Sequence, residues 1–246
     1  MNHENSSNNK VHHSLEVEMK FFIEDSDRKQ ANTLRSLNQY KEITQYFFSL
    51  ELTQDLHSQL ILGHEKNPYV KSFDFSKAKA RVRQIKDSSG DKSFLVGFKG
   101  SKDPELLSLG VTAKPELEIE ISAERYETFK IQADQGSVSK TRVFYPFKAN
   151  KDSLTLELDL INQLNGQTIE PRFIVGEIEL DENRCKQQIA EIRETALTIA
   201  INDNTKMLLS EIKTGSKDSR SVLVSNRKLL AIYGEGGIPQ ELKEFF

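Results

Sequence analysis

The sequence predicts an α+β protein: an antiparallel sheet or closed barrel of about eight strands, helices set between them, and a helical C-terminal extension. Three observations predict it. Segments between residues 14 and 181 alternate apolar and charged residues with a period of two, as half-buried strands do. Turn signals such as Ser88-Ser89-Gly90-Asp91 and Asn165-Gly166 separate those segments. After Asp181 the apolar period lengthens to three or four, with Ile189, Ile192, Ala196, Ile199, Leu208 and Ile212 along one run.

Residues 1–13 are rich in Asn, Ser and His and read as a disordered tail, in which His12 and His13 are solvated. A strand over 14–23 sets Leu15, Val17, Met19 and Phe21 against Glu16, Glu18 and Lys20. Asp25 or Ser26 can cap a helix to about 38, which carries Ala31, Leu34 and Leu37. Residues 43–51 and 56–63 read as a hairpin, 77–86 and 92–99 as a second hairpin, and 100–114 as a loop. Strand 115–121 leads through Ser122, a helix cap, into a helix to about 133. Strands follow at 138–147, 153–162 and 172–181. Residues 184–213 and 221–233 read as helices. The organisation is then a tail at 1–13, a strand-rich domain at 14–182 and a helical extension at 183–246 packed on it.

A chain of 246 residues, 37% hydrophobic and 29% charged, can bury a sizeable core. The net charge of −3 gives no support for sequence-specific nucleic-acid binding. No apolar run approaches the roughly 20 residues that span a bilayer. The first residues lack the apolar core of a secretory signal, so a cytoplasmic location is expected. Cys185 is the single cysteine, which excludes an intrachain disulfide.

The charged faces of the strands carry the functional signal. Like charges recur two residues apart: Glu16/Glu18, Arg81/Arg83, Glu118/Glu120, Lys140/Arg142, Glu157/Asp159 and Glu177/Glu179. Any one pair describes a solvated strand face. Together they are unusual, because like charges on neighbouring positions of one face repel. Carboxylates gathered on a concave face suit a hard divalent cation, magnesium or manganese. Arginines and lysines on the facing strands suit phosphate oxygens.

With these residues in order, the chain resembles the CYTH superfamily, the triphosphate tunnel metalloenzymes. Glu16-x-Glu18-x-Lys20 is similar to the family's ExExK opening, Arg81-x-Arg83 to its RxR strand and Phe98-Lys99-Gly100 to its lysine strand. Glu118-x-Glu120, Lys140-Thr141-Arg142, Glu157-x-Asp159 and Glu177-x-Glu179 follow in the family's order, over about two thirds of the chain. The resemblance implies an eight-stranded antiparallel barrel whose tunnel holds the charges. The apolar set Leu15, Val17, Leu117, Ile119, Leu156, Leu158, Ile178 and Leu180 would then face outward, under helices or a homodimer contact. It also implies roles. Glu16, Glu18, Glu177 and Glu179, with Glu157 and Asp159 nearby, would be the metal ligands. Arg81, Arg83, Lys99, Lys140 and Arg142 would grip phosphates. Glu118 and Glu120 would hold a second metal or orient the attacking water, and Lys20 would contact the phosphate chain or assist the water. Gly97 stands where the family often has a second lysine, Tyr46-Phe47-Phe48-Ser49 replaces an Asp-Thr-like pair, and there is no Trp.

The implied activity is metal-dependent hydrolysis of a small triphosphate, with inorganic tripolyphosphate the leading substrate. The alternatives are a class IV-like adenylate cyclase, a thiamine or nucleoside triphosphatase, and a non-catalytic tunnel that binds polyphosphate or a nucleotide.

Overall fold

The computed structural model describes residues 10–25, 29–37, 39–61, 64, 67–149, 152–194, 198–202, 205–213, 219–235, 238 and 240–246. In chain order the elements are β1 (Val11–Glu24), α1 (Lys29–Leu37), β2 (Tyr40–Phe47), α2 (Leu50–Ile61), α3 (Pro68–Ser72), β3 (Lys79–Asp87), β4 (Lys92–Lys99), α4 (Pro104–Ser108), β5 (Thr112–Glu120) and α5 (Ala123–Gln132). There follow β6 (Ser137–Ala149), β7 (Asp152–Leu164), β8 (Gln167–Thr168), β9 (Phe173–Leu180), α6 (Cys185–Glu194), β10 (Thr198–Asn202), β11 (Thr205–Leu208), β12 (Ser210–Glu211) and α7 (Asn226–Glu235).

Eight strands close into an antiparallel barrel in the order β1-β5-β4-β3-β2-β6-β7-β9, with β9 pairing back onto β1. Closure leaves these strands without an open edge. Because residues alternate across the wall, one face of each strand points into the lumen and the other outward. The outward face is apolar, and two clusters of helices cover it. Val17, Met19, Phe21, Leu156 and Leu158 pack with Leu34 of α1, Leu106 of α4 and Ile189 and Ile192 of α6. Val82, Val96, Leu117 and Ile119 pack with Leu56 and Leu60 of α2, Val70 of α3 and Tyr126 and Phe129 of α5. Each such side chain, taken from water, contributes roughly 1.5–3 kcal/mol.

A third cluster fills one end of the barrel from within. Phe22, Phe47, Val138, Ile161 and Val175 share the inward face of their strands. They pack against Leu223, Val224, Leu229, Leu230 and Leu242 of the C-terminal segment. That segment comprises a 3-10 turn (Ser219–Val222), α7 and a second 3-10 stretch (Gln240–Phe245). Arg227 fastens it, donating hydrogen bonds to the backbone carbonyls of Phe48 and Ala80 with its guanidinium over the Phe47 ring.

Several expected elements differ. Residues 11–13, expected in the tail, open β1 and pair with β5, while residues 1–9 lie outside the described residues. Residues 56–61 do not form a strand: β2 ends at Phe47 and Leu50–Ile61 is a helix, while residues 62 and 63 of the expected strand lie outside the described residues. Thr53, Leu56 and Leu60 sit buried on one face at helical spacing, and the Ser49 hydroxyl accepts from the Leu52 amide at its start. The loop at 100–114 contains α4, capped by the Asp103 carboxylate, and β5 begins already at Thr112. Of the helix expected over 184–213, Cys185–Glu194 is helical, residues 195–197 lie outside the described residues, and β10 and β11 form a hairpin. The β-branched residues Thr198, Ile199 and Ile201 favour strand there. The second helix begins at Asn226 rather than 221. Asn165 and Gly166 both adopt positive φ (52° and 75°), so the Asn-Gly turn is of type I′, but it leads into the short β8.

Candidate metal and phosphate site

The lumen is a cavity of about 600 Å³, and its inward charges separate by sign around the wall. Four contiguous strands form an acidic half: β7 with Glu157 and Asp159, β9 with Glu177 and Glu179, β1 with Glu16 and Glu18, and β5 with Glu116 and Glu118. The other four form a basic half: β4 with Lys99, β3 with Arg81 and Arg83, β2 with Lys41, and β6 with Lys140 and Arg142. Lys20 and Lys114 are cations set into the acidic half. Twelve lysines and arginines against seven glutamates line the cavity, so its wall carries excess positive charge suited to a polyanion.

The two halves neutralise each other through ion pairs. Arg142 reaches three carboxylates: its Nε and Nη2 donate to Asp159 at 2.7 and 2.8 Å, its Nη2 to Glu177 at 2.6 Å, and its Nη1 to Glu157. Lys140 pairs with Asp159, which is only 2% exposed. Arg81 holds Glu116 at 2.8 Å and Arg83 holds Glu118. Lys99 bridges Glu16 and, at 3.5 Å, Glu116. Lys20 bridges Glu177 and, at 3.2 Å, Glu18.

Gly97 makes the Arg81 and Arg83 contacts possible. It sits on β4 between the two arginines of β3 and the glutamates of β5. A Cβ there would stand 3.3 Å from a Glu118 oxygen and 3.5 Å from Arg81 Nε. The missing side chain lets the guanidinium groups reach across β4.

Electrostatics follows from this crowding. Burial opposes the charge on Lys20, but the carboxylates of Glu177, Glu18 and Glu16 hold its ammonium well above its usual value. Burial likewise disfavours a charged Glu177, yet Lys20 and Arg142 hold its carboxylate well below the usual range. Burial and the adjacent Arg142 push Lys140 down to about 8. Glu179 has no ion-pair partner among the described residues: burial and the charges of Glu157 and Glu16 push it up to about 7.

The expected site residues are placed as follows. Glu16, Glu18, Lys20, Arg81, Arg83, Lys99, Glu118, Lys140, Arg142, Glu157, Glu177 and Glu179 all line the one cavity. Asp159 lies behind it, under Lys140 and Arg142. Glu120 pairs in register with Leu95 and is outside the cavity lining. Glu116 takes the second place on β5, a position the same alternation already marked. Lys41, Lys79, Lys114 and, from loop and helix, Lys102, Arg227 and Lys228 also line it. The last three are brought in by the tertiary fold, with no period or spacing to signal them.

Among the described residues, no three His, Cys, Asp or Glu side chains converge as a preformed metal cluster. The donor chemistry nonetheless fits magnesium or manganese. Glu18 and Glu179 stand opposite each other in register on β1 and β9, as do Lys20 and Glu177, and all the carboxylates are oxygen donors. The basic half also has donors to spare: Arg81 Nε and Arg83 Nε are buried with no acceptor among the described residues.

No protein family and no curated protein sequence matches the chain. Solved structures that it is similar to include the following three. The PH1819 protein from Pyrococcus horikoshii OT3 is 15% identical with a TM-score of 0.41, over 72% of this chain and 86% of that one. The hypothetical protein NE1496 is 15% identical with a TM-score of 0.39, over 87% of this chain and 97% of that one. The inorganic triphosphatase NE1496 is 16% identical with a TM-score of 0.39, over 87% of this chain and 95% of that one. These are distant likenesses.

Proposed function

We propose that this chain is a metal-dependent hydrolase of short triphosphates, with inorganic tripolyphosphate as the leading substrate. The observation that carries the reading is the division of the lumen into an acidic and a basic half. A solvated face or a structural ion-pair network has no need to sort its charges strand by strand. A metal–polyphosphate complex needs both kinds of wall, facing each other in an enclosed space.

Substrate binding is an exchange of partners. Arg81, Arg83, Lys99, Lys140 and Arg142 trade carboxylate oxygens for phosphate oxygens, the arginines in bidentate fashion. The carboxylates they release, Glu16, Glu157 and Glu177, would join Glu18 and Glu179 in holding magnesium or manganese. A bound divalent cation supplies charge neutralisation on the phosphate and a lower pKa for water. Lys20 stays charged and touches the phosphate chain beside Glu177. Glu118 orients the attacking water in line with the bond to be broken. The guanidinium groups stabilise charge that grows on the departing phosphate.

Purified protein is to be incubated with tripolyphosphate, ATP and thiamine triphosphate in the presence of magnesium or manganese, and products followed by phosphorus NMR. Orthophosphate from tripolyphosphate is the expected result. Cyclic AMP with pyrophosphate from ATP would replace hydrolysis by cyclase chemistry, and tight binding without turnover would replace it by a binding role.

The pH dependence has a definite sign. Glu179 binds its proton more tightly in the folded protein than its ordinary 4.5, up to about 7. A metal ion must displace that proton. Metal affinity, measured by isothermal titration, is therefore expected to rise between about pH 6 and about pH 8, and Glu179→Gln to flatten the rise.

A further inference from the structure

The cavity runs from His12, Lys41 and Phe144 at one end to the apolar plug at the other. The plug fills the β2-β6-β7-β9 side of that end, where Phe47, Val138, Ile161 and Val175 stand. The opposite side is lined by lysines: Lys79 at the start of β3, Lys102 after β4, Lys114 on β5 and Lys228 in the first turn of α7. None of these four was marked by the like-charge pairs of the strands, and none serves the ion-pair belt. The belt cations Lys20, Arg81, Arg83, Lys99, Lys140 and Arg142 each have a carboxylate partner. The four rim lysines have no carboxylate within ion-pairing distance among the described residues.

Their charges bear on one another. Burial, then Lys228, Lys79 and Lys20, depress Lys102. Burial, then Lys99, push Lys114 down to about 8, with Lys20 and Lys102 adding to the effect. In register, Lys79 faces Lys99 directly across β3 and β4, a like-charge cross-strand pair in which Glu16 and Glu116 hold Lys99 and no carboxylate among the described residues pairs with Lys79. The first turn of α7 adds backbone amides that have no acceptor within the helix, and it carries no acidic residue.

We propose that this lysine rim is an accessory anion subsite that holds the outer phosphates of a linear polyphosphate whose reacting end lies in the belt. The proposal rests on the belt being a polyphosphate site. It extends the substrate class from tripolyphosphate to longer linear chains. The belt alone grips a short chain. A longer chain projects toward the plugged end, where each further phosphate meets an unpaired ammonium rather than an unfavourable carboxylate.

The test uses Lys102→Ala/Lys228→Ala, two exposed positions outside the belt. Wild type and variant are compared with magnesium on tripolyphosphate and on a medium-chain linear polyphosphate, by orthophosphate release and by isothermal titration. For the longer chain, KM and Kd are expected to rise about tenfold in the variant, the size expected for two lost exposed charge contacts. For tripolyphosphate they should stay within about twofold. Equal changes for both substrates, or no change for either, overturn the rim. Tripolyphosphate turnover in wild type with rim-independent binding of the longer chain overturns the rim and leaves hydrolysis standing. Rim-dependent binding of the longer chain with no turnover of either substrate overturns hydrolysis and leaves the rim standing.

Discussion

Replacing Arg142 with alanine is expected to destabilise the barrel by about 3–5 kcal/mol and to lower tripolyphosphate turnover on the order of 100-fold or more. The guanidinium holds Glu157, Asp159 and Glu177 together from inside the lumen. Without it, Asp159 keeps a single cation among the described residues, Lys140, in a place that is 2% exposed. A buried charge stripped of its partner costs far more than the intact pair ever contributed. Urea unfolding reads the stability, and phosphate release reads the turnover. Arg142→Lys separates the two effects: it restores charge and much of the stability but cannot fork between three carboxylates, so turnover stays low. Full activity in the alanine variant would remove Arg142 from the phosphate clamp.

Glu18→Gln is expected to abolish turnover while leaving the fold intact. Glu18 is 5% exposed and faces Glu179 across β1 and β9. Its one ion pair among the described residues is to Lys20, which keeps Glu177 when Glu18 is neutralised. The amide has the volume of the carboxylate but not its charge, so the structural cost is small and the loss falls on the metal. In wild type, magnesium at 100 times its Kd should stabilise the folded state by about 2.7 kcal/mol, and in the variant that stabilisation should shrink sharply. Thermal unfolding with and without magnesium measures it independently of activity. An unchanged magnesium-induced shift would remove Glu18 from the proposed ligand set.

Most of the barrel wall was legible in the sequence because strands encode their two faces with a period of two. Glu16-x-Glu18, Arg81-x-Arg83 and Lys140-x-Arg142 could be assigned to one face without knowing where that face pointed. Glu116 shares the alternation of Glu118, and its place in the lumen follows from the same rule. What failed had weaker local signals. Leu50–Ile61 mixes Thr, Leu and Ile in a way that serves either strand or helix, and its contacts with the outer wall decide for helix. The stretch after Glu194 carries apolar residues at helical spacing and β-branched residues at strand spacing, and the β10–β11 pairing decides. Lys102 and Lys228 reach the cavity only because a loop and a terminal helix are carried there by the fold, and no spacing in a sequence records such an approach.

The apolar plug has a consequence for how the molecule comes into being. Phe22 lies in the first strand, while the residues that cover it, among them Leu223, Leu242 and Phe245, come some 200 positions later, and Phe22 meets Phe245 edge-on at 5.0 Å. Pairings of such long sequence separation form slowly. On the ribosome, the inner aromatic residues of a finished-looking barrel would stay wet until Leu223 to Phe245 had emerged. A nascent chain stalled after β9 would present Phe22, Phe47 and Phe173 at an unsealed mouth, a surface that invites association with other chains. The segment from Ser219 to Phe245 therefore acts as a seal on synthesis as well as a wall of the site.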